Sequence, residues 1–232
     1  MRQQYYAFNP FSVSDERARK DPVLYDILKM KIENRPRVMR MIDQIIFNKQ
    51  DVFTAPHDKK QICFIGHSQL DQWNIDVIGR YHVRNCGVSG ISSYEYDKKI
   101  LQTGLLRCDD DVFLVMHGTN DIVWDDPIDE IVKSIQASIR YIQLRNESAV
   151  ILFLACIHVN GRIDRNNTRI DALNSALQMQ LADSVIWMDT LFLDDENGNL
   201  AEQYTTDGLH LTEAGYQLLQ AEIEAKMRKL GL

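Results

Sequence analysis

The chain reads as a three-layer α/β/α sandwich around a five-stranded parallel sheet, with a helical extension at its N-terminus. Three observations predict this. Short, continuously apolar runs rich in β-branched residues recur along the sequence, amphipathic helical patterns separate them, and no run alternates cleanly between apolar and polar residues. A strand that alternates has one wet face. A strand that is apolar throughout is dry on both faces, as in a parallel sheet covered by helices. Strands and helices in alternation then wind as right-handed βαβ units.

Residues 1–58 stand outside the alternation and are expected to form the extension, leaving 59–232 for the sandwich. Asp21–Glu33 and Arg37–Asn48 read as two amphipathic helices parted at Arg35-Pro36, where proline can open the second. Their apolar faces carry Leu24, Ile27, Leu28, Met39, Ile42, Ile45 and Phe47. A cap packed on the sandwich is the plain expectation; a lid or a homo-oligomer surface is the sharper one. Thr54-Ala55-Pro56-His57-Asp58 reads as a linker. Ile62–Ile65 and Tyr81–Asn85 are the first two strands, and Ser93–Thr103 is a helix. Val112–His117 is the third strand. The long helix after it, Pro127–Asn146, repeats Ile128, Ile131, Val132, Ile135, Ile139 and Ile142 at three- and four-residue steps. Val150–Ile157, the helix Ile170–Leu181, the strand Val185–Met188 and the helix Thr212–Leu230, capped by Thr212, complete the order.

Composition narrows the function classes. A length of 232 residues suits one α/β domain with an appendage, and 45% hydrophobic residues supply its core. A net charge of −7 and the absence of a Lys/Arg cluster argue against a nucleic-acid partner. The longest apolar run, Val150–Ile157, is too short to span a bilayer, so no transmembrane segment is expected. Met1-Arg2-Gln3-Gln4-Tyr5-Tyr6 has no apolar signal-peptide core, which predicts a cytoplasmic location. Cys63, Cys86, Cys108 and Cys156 follow no metal-ligand spacing, and Cys63 and Cys156 sit in apolar runs as expected of buried reduced thiols.

Four short segments carry chemistry: Gly66-His67-Ser68, Asn85-Cys86-Gly87-Val88-Ser89-Gly90, Gly118-Thr119-Asn120-Asp121 and Asp207-Gly208-Leu209-His210. In a parallel α/β sheet, reacting groups gather beyond the carboxyl ends of the strands, and Ser68, Gly90 and Asn120 each follow a predicted strand. Attack on an ester carbonyl needs a nucleophile, a base and donors for the developing oxyanion. Ser68 offers the nucleophile and His210 the base. Asp207, three residues upstream, can fix the imidazole tautomer and stabilise the imidazolium. Capping a helix is the plainer role for Asp207, but Thr212 already fills it. The Asn120 side chain and the glycines at 87 and 90 offer N–H donors, and Asp121 is expected to brace its loop. Gly66 is expected to let the chain bend sharply before Ser68. Taken alone, Gly-X-Ser would be an ordinary turn. Leu70 in place of the last glycine, and a serine that follows the first strand, argue against the α/β-hydrolase elbow G-x-S-x-G.

Together the segments resemble the SGNH hydrolases, also called the GDSL esterase/lipase family, over roughly residues 61–230. The four letters fall on Ser68, Gly90, Asn120 and His210, with Asp207 completing the triad. The resemblance implies a flavodoxin-like sandwich and an oxyanion hole formed by Ser68, Gly90 and Asn120. Gly90 is preferred to Gly87 because the family loop reads N-x-G-x-x-G. Val115–Asp121 and Leu209–Tyr216 are most similar to the branch containing the platelet-activating-factor acetylhydrolase catalytic subunits, which implies short acyl groups, notably acetyl. Asn166 to Asn174 resembles the family's stretch after the fourth strand, and Arg162–Thr168 is expected beside the leaving group. His67 departs from the pattern, standing where the family has aspartate. It is expected to brace the site as a neutral donor or to shape acyl preference. His117 and His158, at strand ends, are further candidates for substrate contact, with loop or core histidines as the plain expectation.

The implied activity is removal of a short acyl group from a small-molecule, lipid or carbohydrate ester through an acyl-serine, with no metal or organic cofactor. Two alternatives stand beside it: an O-acetyltransferase acting on a sugar or surface polysaccharide, and a weakly catalytic member that binds carbohydrate or a protein through the N-terminal helices.

Overall fold

A computed structural model of the chain describes residues 22–57, 60–123 and 126–232. The start of the expected extension, residues 1–21, and Asp58 of the expected linker lie outside the described residues. Strands β1 (Gln61–Gly66), β2 (Val77–Ile78), β3 (Tyr81–Asn85), β4 (Val112–Met116), β5 (Val150–Leu154) and β6 (Ile186–Met188) form one sheet in the order β2-β3-β1-β4-β5-β6. All neighbours are parallel except the edge pair β2 and β3. The five predicted strands are all present, and the sheet has six. The extra strand pairs only Val77 with His82 and Ile78 with Tyr81, too short a stretch to show a pattern in sequence.

The absence of alternation has a direct cause. Ile62, Phe64, Val112, Leu114, Leu152 and Leu154 face one apolar layer, while Cys63, Ile65, Phe113, Val115, Ile151 and Phe153 face the other. Successive residues point to opposite faces, and both faces are dry. Burying one such aliphatic or aromatic side chain contributes about 1.5–3 kcal/mol. Helix α6 (Ile128–Arg145) and helix α7 (Asn167–Leu181) cover one face through Ile131, Ile135, Ile139, Leu173 and Leu177. Helix α8 (Glu213–Lys229) covers the other through Leu219, Ile223 and Met227, and Thr212 caps it by accepting the Gly215 N–H at 3.2 Å. Among the described residues, no helix is long and apolar enough to cross a membrane.

The N-terminal region corrects the sequence reading. One helix, α1, runs from Pro22 to Asn48 with Pro36 inside it, where two helices were expected. An internal proline removes a backbone hydrogen bond and costs about 3 kcal/mol. Tertiary anchors on both sides of it compensate. Lys31 pairs with Asp164, Arg35 with Glu95 at 2.9 Å, and beyond the proline Ile42 and Ile46 are buried in the same apolar cluster as Cys63 and Ile65. Met39 and Ile45 pack against that cluster as expected, whereas Phe47 stays 65% exposed and Ile46 takes the inward position. The side chains of Leu24 and Leu28 lie outside the described residues. A short helix, α2 (Gln50–Thr54), precedes the expected linker and ends at its first residue.

Further boundaries shift, among them the helix expected from Ile170, which begins at Asn167, and the strand expected from Val185, which begins at Ile186. Val112–His117 is strand only to Met116, and Val150–Ile157 only to Leu154, after which Ala155, Cys156 and Ile157 stay buried outside the sheet. The helix expected at Ser93–Thr103 is a short α-helix, α4 (Ser93–Tyr96), followed by a π-helical turn over Asp97–Leu101. Ahead of them lies α3 (Ser68–Asp71), directly after β1, and between β4 and α6 lies α5 (Thr119–Val123).

Candidate active site

Ser68 is the first residue of α3 and His67 the extended residue before it, so the chain turns from strand to helix at Ser68. Gly66 is required for a different reason from the expected bend. A β carbon there would lie 2.4 Å from the Met116 carbonyl oxygen on β4. Ser68 Oγ lies 3.0 Å from His210 Nε2, and His210 Nδ1 lies 2.9 Å from Asp207 Oδ2. Asp207 Oδ1 accepts the backbone N–H groups of Leu209 at 3.0 Å and His210 at 2.8 Å. Burial pushes the Asp207 carboxyl up, but the His210 amide, the His210 ring and the Leu209 amide hold it below its ordinary value. An ionised Asp207 accepts from Nδ1–H, which leaves Nε2 as the acceptor for the serine proton.

Hydrogen bonds outside the four motifs set the loop that carries Asp207 and His210. Gly208 has φ +80°, and a β carbon there would lie 2.0 Å from the Asn160 carbonyl oxygen. Asn160 N–H donates to the Gly208 carbonyl at 2.9 Å. Gln69, the neighbour of Ser68, donates its side-chain amide to the Leu209 carbonyl at 2.8 Å, and Tyr216 O–H donates to the Gln69 carbonyl at 2.8 Å. The sequence reading missed Gln69, Asn160 and Tyr216. A lone polar residue carries no signal until its partner is known.

The donor side is assembled at the ends of β3 and β4. Asn120 donates Nδ2–H to the Ile91 carbonyl at 3.0 Å, so its side chain meets the loop immediately after Gly90. That loop is tied to α3: Ser89 N–H and Oγ–H donate to Asp71 Oδ2 at 2.9 and 2.5 Å. Lys49 at the end of α1 donates to Asp71 Oδ1 at 2.5 Å and to the Gly87 carbonyl at 2.8 Å. Helix α1 lies over Gly90, where a β carbon would meet Met41 Cε at 3.1 Å and Val38 Cγ1 at 3.4 Å. Asp121 braces as expected: Ser93 N–H donates to both its oxygens at 3.1 Å and Ser93 Oγ–H to Oδ1 at 2.6 Å.

The three histidines differ. His67 is buried and neutral, its pKa pushed well down by burial and by the nearby His117, Arg165 and His210. Neither of its ring nitrogens has a hydrogen-bond partner among the described residues, so it does not brace through a bond. His117 is likewise buried and without such a partner, its pKa pushed down to about 3 by burial, and its ring meets Tyr96 edge-on at 5.1 Å. His158 has both nitrogens taken, Nδ1 by Asp194 at 2.7 Å and Nε2 by Asp171 at 2.9 Å. Burial opposes its protonation, but the two carboxylates prevail and raise its pKa. That pairing leaves no ring nitrogen for a substrate.

The segment expected beside the leaving group holds a charge cluster. Arg162 reaches Asp164 through Nε at 3.1 Å and Asp207 Oδ2 through Nη1 at 3.8 Å. Arg165 donates to Thr119 Oγ1 at 3.2 Å, Asp164 Oδ2 at 2.7 Å and Asn120 Oδ1 at 3.2 Å. Burial pushes the Asp164 carboxyl up, but Arg162, Arg165 and Lys31 hold it well below the usual range.

Comparison with known proteins follows from this geometry. The model of the GDSL-like lipase/acylhydrolase family matches residues 66–218. The N-acylneuraminate cytidylyltransferase of Escherichia coli O18:K1:H7 (strain RS218 / NMEC) is 34% identical over 194 residues, which are 82% of this chain and 46% of that protein. The chain therefore spans about half the length of this curated relative. Among solved structures, a candidate platelet activating factor from Streptococcus pneumonia superposes with a TM-score of 0.75 at 24% identity, covering 86% of this chain and 99% of that one. A GDSL-like lipase from Bacteroides thetaiotaomicron gives 0.65 at 18%, covering 81% and 97%. A carbohydrate esterase family 3 structure from Talaromyces cellulolyticus gives 0.59 at 16%, covering 73% and 97%. At these identities the structural likeness is one of fold.

Proposed function

Because this chain belongs to the GDSL-like lipase/acylhydrolase family and is thereby an ester-cleaving hydrolase, we propose that it removes a short acyl group, acetyl above all, from an oxygen of a sugar through an acyl-Ser68 intermediate. The observation that carries this reading is the unbroken chain Ser68 Oγ, His210 Nε2, His210 Nδ1, Asp207 Oδ2, with links of 3.0 and 2.9 Å. Ser68 Oγ attacks the acyl carbonyl as His210 Nε2 takes its proton. The oxyanion is met by the N–H groups of Ser68 and Gly90 and by the Asn120 amide. His210 then returns the proton to the departing alcohol. In the second half, His210 takes a proton from water, the hydroxide attacks the acyl-serine, and Ser68 leaves with the proton held by His210 as the carboxylic acid is released and gives its proton to solvent.

Two comparisons support a sugar as the alcohol. One relative is named for acting on N-acylneuraminate, and one neighbour in fold is named a carbohydrate esterase. The cytidylyl transfer of that relative is not carried over, because this chain matches less than half of it. Four buried, unpaired cysteines fit a reducing compartment, which supports the cytoplasm as the place of action.

The test compares the full chain with Ser68→Ala on p-nitrophenyl acetate and on O-acetylated sugars, O-acetyl N-acylneuraminate first, with acetate release and product masses measured. Acetate from the full chain and none from the variant is expected. Equal rates from both proteins would refute the mechanism. Acetyl moved onto an added sugar in place of water would replace hydrolysis by transfer.

A further inference from the structure

The Asn120 side chain is held in one orientation by two different partners. Its Oδ1 accepts from Arg165 Nη2 at 3.2 Å, and its Nδ2 donates to the Ile91 carbonyl at 3.0 Å. A flipped amide would set nitrogen against guanidinium and oxygen against carbonyl, donor on donor and acceptor on acceptor. One Asn120 N–H remains beyond the bond to Ile91.

Arg165 grips the start of α5 at two adjacent residues, through Thr119 Oγ1 and Asn120 Oδ1. Its side chain is 5% exposed, and its counter-charge Asp164 is 4% exposed. Burying a guanidinium and a carboxylate is costly, and apolar replacements of such pairs are often no less stable. This pair is unusual in what it contacts. Asp164 also receives Lys31 from α1 and Arg162, whose other side faces Asp207. The buried carboxylate thus joins the N-terminal helix to both halves of the catalytic machinery.

We propose that Arg165 is the positioning residue of the Asn120 donor, and that Lys31, acting through Asp164, makes helix α1 part of that support. The proposal rests on the reading of Asn120 as an oxyanion donor. Arg165 fixes the carboxamide plane and withdraws electron density through Oδ1, so that the remaining N–H donates more strongly. A lysine at 165 would keep the charge and lose the fork that holds Thr119, Asn120 and Asp164 at once.

The test is a set of steady-state measurements on p-nitrophenyl acetate with the full chain, Asn120→Ala, Arg165→Met, Arg165→Lys, Lys31→Met, and each of the last three combined with Asn120→Ala. Arg165→Met is expected to lower kcat about 10- to 100-fold, with KM held within about twofold, a loss approaching that of an oxyanion donor. Arg165→Lys is expected to recover less than half of that loss, and Lys31→Met to cost about two- to fivefold. In the Asn120→Ala background each loss should shrink to less than about twofold, because the group being positioned is gone. Equal losses in both backgrounds would overturn the proposal while leaving the oxyanion reading in place. Wild-type kcat in Asn120→Ala alone would defeat that reading and the proposal with it. Should Arg165→Met fail to fold, the Lys31→Met cycle decides, since Lys31 sits at the surface end of the chain of contacts.

Discussion

Replacing Asp121 by asparagine isolates one titration that the fold makes unfavourable. Asp121 follows Asn120 in sequence and pins α4 through Ser93, and its carboxyl is wholly buried. Burial pushes its pKa up to about 7 from 3.8, with Asp126 and Glu95 adding to the rise and the Ser93 donors only partly opposing it. The unfolded chain loses this proton near pH 3.8, whereas the folded chain keeps it to about pH 7. Across that window the folded state binds more protons, so stability falls as pH rises and levels off above about 7. A rise of about three units corresponds to ~4 kcal/mol, an order-of-magnitude figure for a group with no solvent screening. Asparagine keeps an acceptor for Ser93 and cannot ionise. Urea unfolding followed by circular dichroism at pH 4, 5, 6, 7 and 8 gives the difference between the two proteins, in which all other titrations cancel. Asp121→Asn should match the parent near pH 4 and exceed its stability by several kcal/mol at pH 8. Stability curves that stay parallel from pH 4 to 8 would show that the buried carboxyl ionises without penalty, and the reasoning would fail.

Three other outcomes follow from the site. Ser68→Ala and His210→Ala should each lower kcat on p-nitrophenyl acetate at least ~10³-fold, and the double variant should be no worse than either, because the two act as one unit. Multiplying losses would separate them. Asn120→Ala should cost about 10²-fold in kcat, and a change confined to KM would make it a binding residue instead. Gly208→Ala should lower both kcat and Tm, since φ +80° and the Asn160 oxygen 2.0 Å away leave no space for a methyl group. A fully active Gly208→Ala would mean that the His210 loop is not held by Asn160.

The sheet and the Asp207–His210 pair were legible because each rests on a local pattern. A strand dry on both faces must be apolar throughout, so β1, β4 and β5 announced themselves. Asp207 and His210 sit three residues apart, and one loop presents both. What escaped depends on distant partners. Pro36 predicted a break, but Lys31 and Arg35 on one side and Ile42 and Ile46 on the other hold one helix through it. Asp164 and Arg165 fall within Arg162–Thr168, a segment expected beside the leaving group from position alone, with no partner for either charge. Only the approach of Lys31, more than a hundred residues upstream, and of Asn120 shows them to be buried and joined.

The histidine at 67 takes on meaning from that buried charge. An aspartate there, as the family pattern has, would place a carboxylate near His117, Arg165 and His210, the three groups whose charges act on His67. A second carboxylate near Arg165 would compete with Asp164 and Asn120 for a guanidinium whose donors are already divided among three partners. It would also bring negative charge close to the proposed oxyanion. Neutral His67 does neither. It leaves Arg165 committed to Asn120 and the local potential positive, while bracing of the nucleophile passes to Gln69, Asp71 and the Ser89 contacts that tie α3 to its surroundings.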